Sequence, residues 1–484
     1  MRKRNNFSLS HNKKMTADMG IIYPVTHYEC IPGDTIRQST TALIRMNPLV
    51  TPVMHRVFVR LHHFFIPYRL LWEDWEDFKT GGEDGLNASV HPTVTSAALS
   101  ESCLCDFLGV PPDTYSTPIV ISALPLRAYA LIYNQYFRDQ NLCPELPVSL
   151  ASGNDTTTNV DLALASWGKD YFTTCRTDQQ LGDATVVPVA GEAPIFYDGT
   201  ANSTSVSAQN GSGIDYKLES SGAHVASSSA AQTDPDYDLK ANLAAASGLP
   251  LNDLRLASFL QREKEQRQQY GARYDEYLNY EFGLKKLDAR LQHPEYLGGG
   301  KSTIQFSEVL STDDSNTGDL HGHGIAAMKS NAFTKFIPED GMIMTLMSVL
   351  PENLYTETLH RSWLRTTKED YYDPNAQFLG EQEVTNREAQ INHSTPDGVF
   401  GYQKIYDELR FHPSTIAGGM HSTYLNWHYG RTHTGDIALN QGYIECVPTK
   451  RTQADTQADS MIITAHHNIV AKRHMQKNPM PKII

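Results

Sequence analysis

Between Met54 and Trp75 the chain reads MHRVFVRLHHFFIPYRLLWEDW, and alternation sorts its first half onto the two faces of a long strand. His55, Val57, Val59, Leu61, His63 and Phe65 share one face, which is largely apolar. Met54, Arg56, Phe58, Arg60, His62, Phe64 and Ile66 share the other. That second face mixes aromatics with two arginines and a histidine, which predicts a surface partly wet or laid against another subunit. Pro67 has no N–H to give a central ladder and ends the strand. Beyond it Leu71, Trp75 and Phe78 fall at helical spacing until Gly81-Gly82. A strand running into an acidic, tryptophan-bearing helix has the form of an edge and an interface. It makes Phe64, Phe65, Tyr68, Trp72 and Trp75, with the distant Trp427, candidates for subunit contact.

The rest of the chain predicts strands and ordered loops in preference to helix bundles. Its 484 residues suffice for two or three ordinary domains, or for one domain with large insertions. Tyrosine, glycine and proline are plentiful, at 24, 32 and 25 residues, and they favour strands and turns. Residues 19–46 read as two strands around Pro32-Gly33-Asp34, and 83–120 as a long proline-rich connection with a short helix near Asp106–Leu108. In 124–142, Leu126, Tyr129, Ala130, Tyr133 and Phe137 recur at helical spacing behind Pro125, a stripe read as core packing in preference to a base-stacking platform. The serine-rich stretch 199–248 has little periodicity and reads as surface loop or intersubunit decoration. Helices are expected over 249–271, capped by Asn252 or Asp253, and again up to Gly283. Residues 322–355 read as a hairpin turning at Pro338–Gly341, and 399–431 as a penultimate strand with a corner at Pro413.

Chemistry-bearing patterns are few, and each has a structural reading that fits better. The six cysteines, at 30, 103, 105, 143, 175 and 446, form no C-x-x-C pair and read as reduced thiols of a chain made in a cytoplasm, with Cys103 and Cys105 on one strand face. GGGKST at 298–303 fails as a phosphate loop, because the glycine required five places earlier is Glu295. His321 and His323, two apart on a strand, point the same way as a cupin-like metal pair would. The acid such a site needs four or five places on is replaced by Ala327 and Met328. His62-His63 and His466-His467 are adjacent, so a strand sends the members of each pair to opposite faces. No catalytic triad order is visible, and no cofactor or metal is expected. No apolar run approaches the ~18 residues of a membrane span, so no membrane insertion is expected.

Charge is uneven. The formal net charge is −14, yet Arg2, Lys3, Arg4, Lys13 and Lys14 stand near the start without an acid, and Lys472, Arg473, Lys477 and Lys482 near the end likewise. The remainder of the chain is more acidic still. Basic ends on an acidic body predict a polyanion bound by the termini, and these nine residues are the candidate nucleic-acid contacts.

Several segments resemble the major capsid proteins of gokushoviruses, small bacteriophages of the Microviridae. They include HHFFIPYRLLWEDWEDFKTGG, IPGDTIRQSTTALIRMNPLVTPVMH, RAYA-IYN with RDQNL, the MSV-P strand, DYYDPNAQFLGEQEV and the W-H-x-G-R run ending at Arg431. The resemblance runs from Phe7 to about Tyr443 and implies an eight-stranded antiparallel jelly roll with long helical and irregular insertions. It divides the chain into a basic N-terminal arm (1–18), a single capsid domain (19–450) and a C-terminal arm with a basic end (451–484). Within the domain it implies an insertion over about 72–198, a surface protrusion over about 199–248 and a helical segment over 249–283. The function implied is structural: a T=1 icosahedral homo-oligomeric shell around circular single-stranded DNA. Its partners would be that genome, a small basic internal DNA-binding protein and a host-cell surface receptor. From a different class, a jelly-roll carbohydrate-binding domain or a cupin-like metal-dependent enzyme stays open at this point.

Overall fold

The computed structural model describes residues 4–83, 86–183, 251–270, 279–280, 292–310 and 319–477. Between 195 and 241 it describes the strand backbones alone. The chain forms two compact units, 1–179 with 269–484, and 180–268.

The larger unit is built on eleven strands in two antiparallel sheets, as a jelly-roll class protein requires. They are β1 (Asn5–Ser8), β2 (His11–Ala17), β3 (Ile22–Cys30), β4 (Thr35–Met46), β5 (Val57–Pro67), β6 (Glu295–Thr303), β7 (Gln305–Leu310), β8 (Leu320–Lys329), β9 (Phe333–Phe336), β10 (Gly341–Pro351) and β11 (Met461–Arg473). Seven form one sheet in the order β1-β11-β4-β8-β7, with β2 also on β11 and β9 also on β4. Four form the other, in the order β6-β5-β10-β3. Strand alternation aims Ile44, Met46, Ile463 and Ala465 from the first sheet at Val25, Val57, Val59, Leu61 and Met347 from the second, and this is the inter-sheet core.

The smaller sheet is covered on its second face as well. Helix Leu124–Ile132, continuing as a π-helical turn Tyr133–Phe137, lays Leu126, Tyr129 and Tyr133 against Phe64, Ile66, Met344 and Leu346. The tyrosine stripe is core, as its spacing implied. Tyr129 also donates its hydroxyl to Ile22 O at 2.7 Å. Strand β10 therefore lies between two apolar layers, and all eleven of its residues are buried. That explains a sequence, GMIMTLMSVLP, in which no polar face can be found.

Several expectations are corrected. Residues 322–355 do not form a hairpin: β8 and β9 pair with β4, whereas β10 pairs with β3 and β5 in the other sheet. Pro338–Gly341 carries the chain across the sandwich, and so does the turn between β3 and β4. The two crossings bond each other, Gly33 N to Ile337 O and Ile337 N to Asp34 O, both 2.8 Å. Gly33 is at φ +85°, which a side chain would resist.

The proline-rich connection contains an unforeseen hairpin, Thr93–Leu99 with Asp113–Ser122, beside the expected short helix, which runs Leu104–Phe107. Cys105 lies in that helix and not on a strand with Cys103; all six cysteines are free thiols. The expected penultimate strand, Val399–Lys404, pairs with Glu381–Thr385 apart from the two main sheets.

In the smaller unit, Val206–Gln209, Asp215–Ser221 and His224–Ser228 make a three-stranded antiparallel sheet where an irregular loop was expected. The helix Leu251–Tyr270 begins ahead of Asn252 and Asp253, which makes them first-turn residues and not caps. The helix expected up to Gly283 lies outside the described residues except for 279–280.

Candidate assembly and genome-contact surfaces

The largest correction concerns the ends of the chain. They are not free arms: β1 and β2 both pair with β11, and β11 lies beside β4 in the larger sheet over twelve registered positions, Met461 to Lys472. Strand formation divides the predicted cations by the direction each side chain takes. Lys13 points inward, donating to Pro24 O at 3.0 Å and to Phe107 O. Burial lowers its pKa to about 8 in spite of the Asp106 charge. Arg4 donates to Gly33 O and Thr35 Oγ1 at 2.9 and 3.1 Å. Arg473 pairs with the buried Asp34 at 2.9 Å and donates to Glu29 O. These three cations hold the crossing turns and sheet edges of the protomer. Lys14, Lys472 and Lys477 are exposed. Arg2, Lys3 and Lys482 lie outside the described residues.

The predicted interface aromatics are corrected in the same way. Phe64, Phe65, Tyr68 and Trp72 are all buried within the protomer, Trp72 completely. The layer of helix and loops over the smaller sheet covers Phe64, Tyr68 and Trp72, whereas Phe65 packs between the sheets beside Ile36, Ile343 and Ile469. Trp72 donates its indole N–H to Ser152 Oγ at 2.7 Å, satisfying the polar handle that a buried tryptophan carries. Trp75 is partly covered by Tyr68 and Trp72, with ring centroids at 4.8 and 6.0 Å. Trp427 is half-buried, and its carbonyl accepts from Met54 N at 2.8 Å.

Large apolar groups do reach solvent elsewhere, on the loops between β10 and β11. Trp363 is 79% exposed, Phe378 83% and Leu379 76%, and Tyr371 and Phe411 are more than half exposed. These loops are not loose. Arg361 pairs with Glu388 at 3.0 Å and Arg365 with Glu408 at 2.8 Å, both carboxylates being buried, and Arg176 pairs with Glu381. Tyr406, itself buried, donates to Tyr371 O and accepts from Asp373 N, both at 3.2 Å. A rigid scaffold that displays aromatics is what an association surface needs. No periodicity marks these residues: Trp363 and Phe378 stand on single turns of 3₁₀ helix, and Tyr371, Leu379 and Phe411 lie in the loops beside such turns.

The family model for the phage capsid protein F matches residues 1–482. The chain belongs to that capsid protein family. It is similar to capsid protein VP1 of Bdellovibrio phage phiMH2K, 34% identical over 94% of this chain and 90% of that protein. It is also similar to capsid protein VP1 of Chlamydia phage 1, 31% identical over 99% and 95%, and to that of Spiroplasma virus 4, 29% over 88% and 84%. The protein is thus a structural major capsid protein of the gokushovirus type, a component of a multi-subunit virion shell.

The remaining candidates take structural places in this capsid protein. His321 and His323 share a side of β8 as expected, but each has a partner of its own, Val50 O at 3.1 Å and Ser307 Oγ at 2.9 Å. Among the described residues no group of three or more His, Cys, Asp or Glu could hold a metal ion. None of the described helices is long and apolar enough to cross a membrane. The glycines of GGGKST belong to β6, and Gly299 and Gly300 let it approach its neighbours. A Cβ at Gly299 would lie 2.0 Å from Leu61 O, and one at Gly300 3.0 Å from Ser330 Cα. His62 and His63 take opposite faces: His62 contacts the rings of Phe137 and Tyr296, while His63 Nδ1 meets Thr345 Oγ1 at 2.9 Å inside the sandwich.

Proposed function

We propose that this capsid protein closes into a T=1 icosahedral shell around a circular single-stranded DNA genome and presents the surface that attaches to the host. The observation that carries the reading is full-length similarity to capsid proteins combined with a rigid protomer displaying Trp363, Phe378 and Leu379 on anchored loops. Such side chains gain by burial against symmetry mates, and many modest contacts become a strong shell through repetition. The exposed cations Lys14, Lys472 and Lys477 remain as genome contacts, with a small basic internal protein as a further partner. The 199–248 segment is the outward protrusion, and a host-cell receptor is its partner. Synthesis in the bacterial cytoplasm accords with six free thiols. The role is structural, with no catalysis and no metal.

Electron microscopy of the purified protein, with nuclease typing of the nucleic acid it carries, tests this. Closed shells of uniform diameter containing circular DNA sensitive to a single-strand nuclease are expected. Monomers and small oligomers alone, or shells filled with duplex, would overturn it.

A further inference from the structure

The larger sheet has two very different faces. One packs into the inter-sheet core. The other, along β2, β11, β4 and β8, is open to solvent, with alternate residues exposed over the whole length of β11 and along β4. Five of its outward residues are cations: Lys14 on β2, Lys472 on β11, Arg37 and Arg45 on β4, and Lys329 on β8, all exposed. None of the five side chains makes a hydrogen bond or ion pair with a described residue.

No acid stands at any outward position of the described strands of this sheet. The nearest exception, Glu308 on β7, pairs in register with the buried Gly322 and so belongs to the opposite side. An acid-free face is conspicuous on a chain whose 55 acids outnumber its 41 Lys and Arg. The uncharged positions between the cations are mostly hydrogen-bonding, with Leu43, Ile325, Ile462 and Val470 as exposed aliphatic exceptions. Pairing places His466 opposite Thr41 and Asn12, Asn468 opposite Ser39, and Thr464 opposite Lys14.

Register also fixes the arrangement. Arg45 lies level with Ile462 and Ile325, Lys329 with Thr41, and Arg37 with Val470 and Thr334. The charges are therefore spread over the breadth and length of the sheet and not gathered at one point. Outward neighbours along a strand are ~7 Å apart and adjacent strands ~4.8 Å, so a flexible chain of phosphates can meet successive cations by several routes. A compact anion would meet one cation at a time. Base stacking has little purchase, since Phe336 and the imidazoles of His466, His321 and His323 are the ring systems offered.

We infer that this open face of the larger sheet is a sequence-indifferent binding surface for the phosphate backbone of single-stranded DNA, held by Lys14, Arg37, Arg45, Lys329 and Lys472. The inference rests on the proposed function for the identity of the polyanion. It moves the genome contact from the chain ends to a rigid face, to which three cations remote from either end contribute. Phosphate contacts fix position without reading bases, so the surface binds oligonucleotides of different sequence alike.

The test is salt-dependent binding of the full-length protein to a single-stranded oligothymidylate, alongside the DNA content of assembled shells. Each phosphate neutralised contributes roughly 0.7 to the log–log salt slope for single strands. A variant carrying K14Q, R37Q, R45Q, K329Q and K472Q should lower the slope by two or more, with shells that still form but hold less DNA. Restoring charge with R37K and R45K in that background should recover part of the slope. A control with R56Q and K169Q, both off this face, should leave the slope as it is. A slope unchanged in the five-fold variant overturns the inference, and so does an equal loss in the control. Failure of shell assembly with the slope unchanged also overturns it, assigning the face to a neighbouring subunit. Absence of shells and of DNA binding in the unaltered protein would instead sink the proposed function.

Discussion

Gln38 of the larger sheet donates through Nε2 to Thr345 Oγ1 of the smaller sheet at 3.0 Å, and both residues are fully buried. Around that bond Tyr28 donates to Gln38 Oε1 at 2.6 Å, His63 Nδ1 meets Thr345 Oγ1, and Thr40 Oγ1 meets His467 Nδ1 at 3.0 Å. The two sheets are thus joined through a polar seam inside an apolar sandwich. Such a seam fixes the registration of the layers, because a shifted packing would strand its donors.

Thr345→Val should destabilise the protomer by about 1–3 kcal/mol, since it leaves the Gln38 amide and His63 short of a partner without changing volume. Gln38→Leu combined with it should cost less than the sum of the two single changes. Thermal unfolding of all three variants measures the coupling; strict additivity would show that the bond is not shared.

Acid should weaken the protomer between about pH 6.5 and 4. Burial, helped by the neighbouring His62 charge, holds His63 at about 4; burial, with Lys13 and His11, does the same to His27. An unfolded imidazole titrates near ~6.5. As the pH falls through that value the unfolded chain takes up protons that the folded one refuses, so stability present above ~6.5 drains away toward 4. A melting temperature that stays level from pH 7 to 5 would contradict this.

Arg127→Met should cost about 3–5 kcal/mol. The guanidinium pairs with Asp155 at 2.8 Å and donates to Leu71 O and Ala151 O, with neither charged side chain exposed. Burial alone would raise the Asp155 carboxyl, but hydrogen bonds from Thr158, Arg127 and Thr157 outweigh it and hold the pKa below the usual range. Replacing the pair by Met and Leu together should recover much of the loss, which calorimetry of the single and double variants decides.

Trp363→Ser with Phe378→Ser should leave the melting temperature of the unassembled protomer within a degree or two. It should sharply reduce the yield of closed shells by sedimentation, because exposed rings contribute to association and not to the fold. Normal shell yield would remove these loops from the assembly surface.

Gly299→Ala should abolish soluble protein, since the added carbon falls on the Leu61 carbonyl and backbone cannot step aside cheaply. Recovery of a well-folded variant, seen by circular dichroism, would mean that β6 is free to move off β5.

Period-2 alternation made β5 legible in advance, and helical spacing did the same for the helix containing Tyr129. The burial of Phe64 was not legible: one strand can tell its two faces apart but cannot reveal that a helix from sixty residues on will cover the wetter one. The crossing at Pro338–Gly341 is not distinguishable from a hairpin in the sequence, because the same turn residues serve a hairpin and a corner between sheets. β11 is hard to recognise because MIITAHHNIVAKR mixes alanine and histidine into its inward set, and its terminal Lys472 and Arg473 have the look of a solvated tail. Lys13 and Lys14 show what that conceals. A charge count treats them as equals, and a strand sends one inward and the other to solvent.

The place of β11 has a consequence for the order of events during synthesis. Its partners β1, β2 and β4 are all complete before residue 47, yet the strand that joins them lies beyond residue 460. Through most of translation the emerging polypeptide holds the margins of its larger sheet without the strand between them, and contacts of such long separation are slow to close. The sandwich is therefore sealed only after its last strand has left the ribosome. Until then the outward cationic face of that sheet is incomplete, since Lys472 and the strand between β2 and β4 are still missing.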